Sequence, residues 1–165
     1  MVLALIGLFA PDVVFDSTQQ QEFLAAHNRW RKEVGSPPLK WSPALASTAQ
    51  AWADHLKEAN GCKMEHSHSD LGENLHWASP KWSDGRVAEQ VVTPSSVVDS
   101  WASERADYNP RTNSCARGAK CGHYTQMVWR NTTQVGCGKA LCKDFSQVWV
   151  CNYAPAGNYV GQKPY

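Results

Sequence analysis

The chain has 165 residues, of which 42% are hydrophobic and eight are tryptophan, which suffices for one buried core and is short for two domains. Its 16 basic and 15 acidic residues are spread along the chain and give a net charge of +1. This balance argues against nucleic acid as a partner and against a polybasic membrane anchor.

The six cysteines contain none of the C-x-x-C pairs that mark zinc ribbons and redox sites. An even number of cysteines in a small domain predicts three disulfides and an oxidising compartment. The alternative is a cytosolic protein with six buried thiols.

The N-terminal residues 1–10, MVLALIGLFA, form an apolar run as long as a signal-peptide core. The run is far shorter than the roughly 20 residues of a membrane span, so no transmembrane span is expected. It lacks a basic n-region and a clean small-x-small cleavage site, and is either a truncated signal peptide or a segment packed on the domain. We therefore divide the chain into a signal-like lead-in at 1–19 and one domain at 20–165.

Helical spacing predicts two helices in the first third of the chain. Ser17 and Gln20 are placed as a capping box for the first helix, and Ser42-Pro43 as the start of a second that ends at Gly61. The first apolar stripe consists of Phe23, His27, Trp30 and Val34. The second consists of Leu45, Ala49, Trp52 and Leu56.

The middle of the chain predicts a strand, an irregular stretch and a third helix. The strand covers residues 73–77, and the polar residues 79–93 are expected to be irregular. The third helix begins at Thr93-Pro94. Its inner face carries Val97, Trp101 and Glu104.

The C-terminal part predicts a hairpin and an irregular tail. Alternating and β-branched residues indicate strands at 133–141 and 146–153, joined by a short connection. The tail at 155–165 contains two prolines and two glycines, so it should be irregular and lie on the surface. Helices around a small antiparallel sheet predict an α+β domain.

The candidate chemistry lies in histidines and one inward carboxylate, because the usual enzyme signatures are absent. Glu104 faces inward on the predicted helix, and an unpaired buried charge is costly, so it needs a partner. His66 and His68 follow Cys62, and His123 follows Cys121, so disulfides could hold these imidazoles near Glu104. Imidazole and carboxylate together suit zinc or a similar divalent ion, although an H-x-H pair in a polar loop is more often solvated.

The other three histidines are weaker candidates for a site. His27 lies on the core stripe of the first helix, which favours a hydrogen-bonded core histidine over a metal ligand. No partner can be assigned to His55 or His76. Asn131-Thr132-Thr133 is a glycosylation sequon in a eukaryotic host.

Four segments together resemble the CAP superfamily of cysteine-rich secretory, antigen 5 and pathogenesis-related class 1 proteins, and most of all the plant class 1 proteins. They are AHNRWR (26–31), GENLHW (72–77), GHYTQMVWRNT (122–132) and VWVCNYAPAGNY (148–159). The resemblance implies an α-β-α sandwich. It also implies three disulfides: Cys62 with Cys142, Cys115 with Cys121, and Cys137 with Cys151.

The resemblance also implies a tetrad that maps onto His66, Glu73, Glu104 and His123. We therefore expect a secreted, non-enzymatic protein whose cleft binds zinc or another divalent cation. His66 and His123 would be the ligands, with Glu73 and Glu104 behind them or linked through water. Sterol or lipid binding, a cell-surface or host protein as partner, and a defence or host-interaction role are implied in the same way.

Sterol binding would involve the stretch at 79–93, which looks longer than in typical plant relatives. Its apolar residues either form a lipid-binding surface or simply pack against the domain. The apolar residues there are Trp82, Val87, Val91 and Val92.

Two alternative functions remain open. One is a metal-dependent hydrolase in which a glutamate activates a zinc-bound water. The other is a precursor of a signalling peptide, with the cut between Ala154 and Pro155.

Overall fold

The computed structural model describes residues 15–165, so the signal-like run at 1–10 lies outside the described residues. The helices are α1 Ser17–Glu33, α2 Pro43–Ala59, α3 Pro94–Ala102 and α4 Gly122–Met127, with a 3₁₀ turn at Ser103–Asp107. The strands are β1 Lys40–Trp41, β2 Gly72–Ala78, β3 Lys81–Ser83, β4 Arg86–Ala88, β5 Tyr108–Asn109, β6 Ser114–Cys115, β7 Gln134–Leu141 and β8 Gln147–Ala154. Within the described range, no helix combines the length and apolarity that crossing a membrane requires.

The central sheet has the strand order β1-β7-β8-β2. β7 and β8 form the predicted antiparallel hairpin, β2 pairs antiparallel with β8, and β1 pairs parallel with β7. Since side chains alternate between the two faces of a strand, Val148 and Val150 pack with α2, whereas Trp149 and Tyr153 pack with α1, α3 and α4. The structure therefore confirms the predicted α-β-α sandwich.

Two glycines of β7 allow α2 to lie directly on the sheet. A Cβ atom on Gly136 would come within 2.2 Å of the Ala46 backbone nitrogen, and one on Gly138 within 2.4 Å of the Gln50 nitrogen. The helix begins where the sequence predicts, because the Ser42 hydroxyl accepts from the Leu45 amide at 3.3 Å. It ends at Ala59, two residues before Gly61.

The predicted capping box of α1 is wrong by one residue. Asp16 is the N-cap: its carboxylate accepts from the Gln19 amide at 2.8 Å, and the Gln19 side chain accepts from the Asp16 amide at 3.2 Å. Ser17 and Gln20 have the same spacing, but a carboxylate is the stronger acceptor beside the positive end of a helix. Starting the helix here also places Phe15 in the core, 2% exposed.

Two further predictions need correction in the middle of the chain. α3 starts after the Thr93 cap as expected but ends at Ala102, so Glu104 lies in the following 3₁₀ turn. The stretch at 79–93 is not irregular throughout, because β3 and β4 form a hairpin within it. Asp84 and Gly85 occupy its turn with positive φ angles, and Asp-Gly at such a position is a hairpin signal that the sequence analysis missed.

The three disulfides join the cysteines as the resemblance implied. Cys62–Cys142 fastens the loop after α2 to the end of β7, across 80 positions of sequence. Cys137 and Cys151 lie opposite each other in the β7–β8 register. All six cysteines are therefore used in bridges.

A buried arginine organises the turn between α4 and β7. The Arg31 side chain is 0% exposed, and its guanidinium donates to four backbone carbonyls at 2.6–2.9 Å, those of Pro37, Met127, Trp129 and Thr132. Burial lowers the pKa of Arg31 to about 10. The carbonyl oxygens take the place of an acidic partner around this charge.

Candidate functional site

The first half of the candidate site is a pair formed by His66 and Glu73. His66 lies in the loop after Cys62, and Glu73 is the second residue of β2. The His66 Nδ1 lies 2.7 Å from Glu73 Oε1, which also accepts from the Ser67 amide at 3.0 Å. The Glu73 side chain is 6% exposed and that of His66 is 57% exposed. The carboxylate is therefore held inside while the ring faces solvent.

The second half of the site is a pair formed by Glu104 and His123. His123 Nδ1 lies 2.6 Å from Glu104 Oε1, and Glu104 Oε2 accepts from the amides of His123 and Tyr124 at 2.9 and 3.2 Å. Burial alone would raise the pKa of Glu104, but the hydrogen bonds and charge of His123 and the two amides together hold it below its usual value. The inward Glu104 thus has the partner that the sequence analysis required.

Asn74 connects the two halves through β2. It follows Glu73 in the chain, and its Nδ2 donates to the His123 carbonyl at 3.1 Å and to the Tyr153 hydroxyl at 3.2 Å. Within residues 15–165 no hydrogen bond or ion pair joins one His–Glu pair directly to the other. The two pairs are neighbours because β2, which carries Glu73, contacts α4, which carries His123.

Trp101 covers the His123 ring from the side of α3. The two rings stack at a centroid distance of 6.3 Å and an interplanar angle of 17°. The Trp101 indole donates to the Leu75 carbonyl at 2.9 Å, which fixes the ring against β2. The Leu75 carbonyl of the edge strand β2 thereby has a hydrogen-bond donor next to the candidate site.

The C-terminal tail holds the first turn of α4 on either side of His123. The Asn158 Oδ1 accepts from the Thr125 hydroxyl at 2.7 Å, and its Nδ2 donates to the Gly122 carbonyl at 2.8 Å. The tail has no helix or strand, as predicted, but it does not lie loosely on the surface. The Pro164 carbonyl accepts from the Arg130 amide at 2.7 Å, which fastens the tail near its end.

The histidines outside the two pairs differ in their surroundings. His27 is the predicted core histidine, since its Nδ1 donates to the Phe23 carbonyl at 2.8 Å and its Nε2 accepts from the Tyr153 hydroxyl at 2.9 Å. His55 stacks on Trp52 with ring centroids 4.7 Å apart. His68 is exposed and has no hydrogen bond within the described part of the chain.

His76 has a partner that the sequence analysis could not assign. Its Nδ1 lies 3.0 Å from the Ser100 hydroxyl, which itself donates to the Val97 carbonyl at 2.7 Å. Burial, and next the charge of His123, lower the pKa of His76. His76 therefore lies near the second half of the site as a neutral ring.

The two site imidazoles would supply two ligands to a metal ion, one from each ring. In each ring Nδ1 donates to a carboxylate, which leaves Nε2 as the free nitrogen, and this arrangement orients histidines in metal sites. Across residues 15–165, however, no group of three or more His, Cys, Asp or Glu side chains is placed to hold an ion. The residues present accordingly fit an open site, completed by water or a ligand, and not a closed one.

The hairpin at β3–β4 exposes part of its apolar surface. Trp82 is 72% exposed and lies opposite Val87 in the register, and Val91 is 91% exposed. Val92 instead packs partly against the core. The four residues therefore do not form one continuous surface, and two of them share strand pairing that was not expected.

The comparisons with known proteins agree with this geometry. The family described as "CAP: Cysteine-rich secretory protein family" matches residues 24–153, which include both His–Glu pairs. Pathogenesis-related protein 1C of Nicotiana tabacum is 41% identical over 146 residues, 88% of this chain and 80% of that protein. Pathogenesis-related protein 1 of Arabidopsis thaliana is 39% identical over 164 residues, covering 99% and 92%. Venom allergen-like protein 4 of Schistosoma mansoni superposes with a TM-score of 0.65 and 28% identity, covering 91% and 95%.

Proposed function

The chain belongs to the CAP family of cysteine-rich secretory proteins, and we propose that it is exported and acts by binding, without catalysis. Its likeness to plant pathogenesis-related proteins supports a defence or host-interaction role with a cell-surface or host protein as partner. The three disulfides support export, because such bonds persist in oxidising compartments.

The cleft between the two His–Glu pairs is the proposed binding site for zinc or another divalent cation. The observation that carries this proposal is that both imidazoles present Nε2 while a carboxylate holds Nδ1. His66 and His123 would hold the ion, and Glu73 and Glu104 would orient the rings. A bound ion would supply a positive charge that attracts an anionic or carbonyl group of a ligand.

Calorimetric titration of chelator-treated protein with zinc at pH 7.5 tests this site. We expect saturable binding that is lost or strongly weakened in His66→Ala and His123→Ala and kept in His55→Ala, which removes an imidazole outside the cleft. Binding should weaken between about pH 6 and 5, because protons compete for the imidazole nitrogens. Absence of saturable heat in the parent, or equal affinity in all three variants, would show that the pairs are only a polar network.

A second proposed ligand is a sterol or another lipid, held by the β3–β4 hairpin. Two exposed apolar side chains support this assignment: Trp82 in the hairpin and Val91 three residues after it. Replacement of Trp82, Val87 and Val91 by serine should abolish cholesterol or ergosterol binding in a folded protein. Unchanged binding would place any lipid elsewhere.

The hydrolase alternative is disfavoured by the state of the two carboxylates. A general base needs a free carboxylate near the attacking water. Glu73 accepts from an imidazole and one backbone amide, and Glu104 from an imidazole and two backbone amides. The lowered pKa of Glu104 also makes it a weak base. Chelator-sensitive turnover on peptide or ester libraries that disappears in Glu104→Gln would support the hydrolase instead.

The precursor alternative meets a barrier at the bond to be cut. The Ala154 carbonyl accepts from the Thr133 amide at 3.0 Å, and the Pro155 carbonyl accepts from the Thr132 hydroxyl at 2.9 Å. A protease needs this segment free and extended in its own active site. Release of a peptide from the native protein would therefore require the tail to detach first.

A further inference from the structure

The turn between α4 and β7 displays one asparagine side chain on a fixed backbone. Arg31 holds the Trp129 and Thr132 carbonyls on either side of Asn131 at 2.9 Å. Asn131 itself is exposed, and its side chain makes no hydrogen bond within the described part of the chain. Its polar group thus has no structural task, although the backbone around it is firmly held.

The sequence around this asparagine has the chemistry of a glycosylation acceptor. Of the eight asparagines, only Asn131 is followed at the second position by serine or threonine, and the residue between, Thr132, is not proline. The required hydroxyl belongs to Thr133, which is exposed. Motif and exposure therefore coincide at a single position.

We propose that the Asn131 side chain carries an N-linked oligosaccharide. During export the Asn131 Nδ2 would form an N-glycosidic bond to C1 of an oligosaccharide carried on a polyisoprenyl diphosphate. The C1–phosphate bond breaks, the diphosphate carrier leaves, and Nδ2 loses one proton. The donor belongs to the secretory route, so this inference rests on the proposed export.

A glycan on Asn131 would be separated from His123 by the length of α4. His123 lies in the first turn of α4, whereas Asn131 follows the last residue of this helix by four positions, so a glycan would be attached at the other end of the helix. It would instead stand beside the junction of β8 and the tail, because the Thr133 amide donates to the Ala154 carbonyl. A protease approaching the Ala154–Pro155 bond would meet the sugar.

The test is expression of the full chain in plant cells, followed by intact-mass measurement of the protein recovered from the medium. We expect a mass above that of the polypeptide, returned to the polypeptide value by a peptide N-glycosidase. Asn131→Gln and Thr133→Ala should lose the added mass, whereas Thr133→Ser should keep it. The Asn131 side chain makes no hydrogen bond within residues 15–165, and the Thr133 hydroxyl makes only a long one, to the Ala154 carbonyl at 3.4 Å, so the variants should fold and retain three disulfides.

The failure of export and the failure of glycosylation give different results. Wild-type protein in the medium with the bare polypeptide mass would overturn the glycan and leave the export proposal intact. Retention inside the cell would contradict export. In that case the full chain behind an established secretory leader decides the matter, since a secreted product without added mass would overturn the Asn131 site by itself.

Discussion

The buried histidine of α1 predicts that the protein loses stability in mild acid. His27 is 0% exposed, and burial lowers its pKa from 6.5 to about 4. The unfolded chain takes up this proton below pH 6.5 and the native protein does not, so the free energy of unfolding falls as pH falls from 6.5 to about 4. Since one pKa unit corresponds to about 1.4 kcal/mol, the full loss is about 3 kcal/mol.

Urea unfolding at pH 7.5 and pH 4.5, followed by tryptophan fluorescence with the disulfides intact, measures this loss. His27→Phe should be less stable at both pH values, because the Phe23 carbonyl and the Tyr153 hydroxyl lose their partner. The diagnostic quantity is the difference between the two pH values, which should shrink by about 2–3 kcal/mol in this variant.

The control variant His55→Gln removes an exposed imidazole and should keep the full acid dependence. Glu104 does not interfere in this window. Its pKa lies below the usual carboxyl value, so its contribution is fully present above that value and is lost only at lower pH. If His27→Phe shows the same acid loss as the parent, the buried neutral histidine is not its source.

Three further predictions concern contacts that hold the loop, the turn and the tail around the two His–Glu pairs. Replacing Cys62 and Cys142 together by alanine should lower the free energy of unfolding by about 4–5 kcal/mol, because the bridge closes 80 positions of chain. Urea unfolding measures this loss. A loss smaller than that on removing the short Cys115–Cys121 bridge would contradict the expectation that the longer loop contributes more. Arg31→Gln should destabilise by at least about 3 kcal/mol in the same assay, since several buried carbonyls lose their donor, and a near-neutral effect would refute that role. Asn158→Ala should speed amide exchange in α4 by removing two hydrogen bonds worth about 1–3 kcal/mol, and unchanged exchange would show that the tail does not hold this helix.

The elements that follow from local chemistry could be predicted from the sequence. The start of α2 at Ser42-Pro43, the start of α3 at Thr93-Pro94 and the β7–β8 hairpin all depend on caps and alternation within a few residues. The capping box of α1 failed because Asp16 and Ser17 offered the same spacing. The stronger acceptor at Asp16 and the packing of Phe15 in the core distinguish the two starts.

The site could be predicted in its charged members but not in their support. The four residues of the two pairs came from the family resemblance, and helical phase independently turned Glu104 inward, although it lies beyond the helix end. Asn74 and Asn158 lie in the motifs that carry the resemblance. Their spacing in the sequence, however, does not indicate that their side-chain amides donate to the backbone carbonyls of His123 and Gly122. Contacts between such distant segments depend on tertiary packing, which a single sequence does not display.

The partners within each His–Glu pair lie closer together in the chain than the residues that join one pair to the other. His66 and Glu73 are seven positions apart and Glu104 and His123 are nineteen apart, so each pair closes a short loop at little entropic cost. The contact that joins the two halves runs from the Asn74 amide to the His123 carbonyl, across 49 positions. The spacing of the two pairs is therefore set by how β2 packs against α4: a change that loosens this contact would leave both pairs formed while moving them apart.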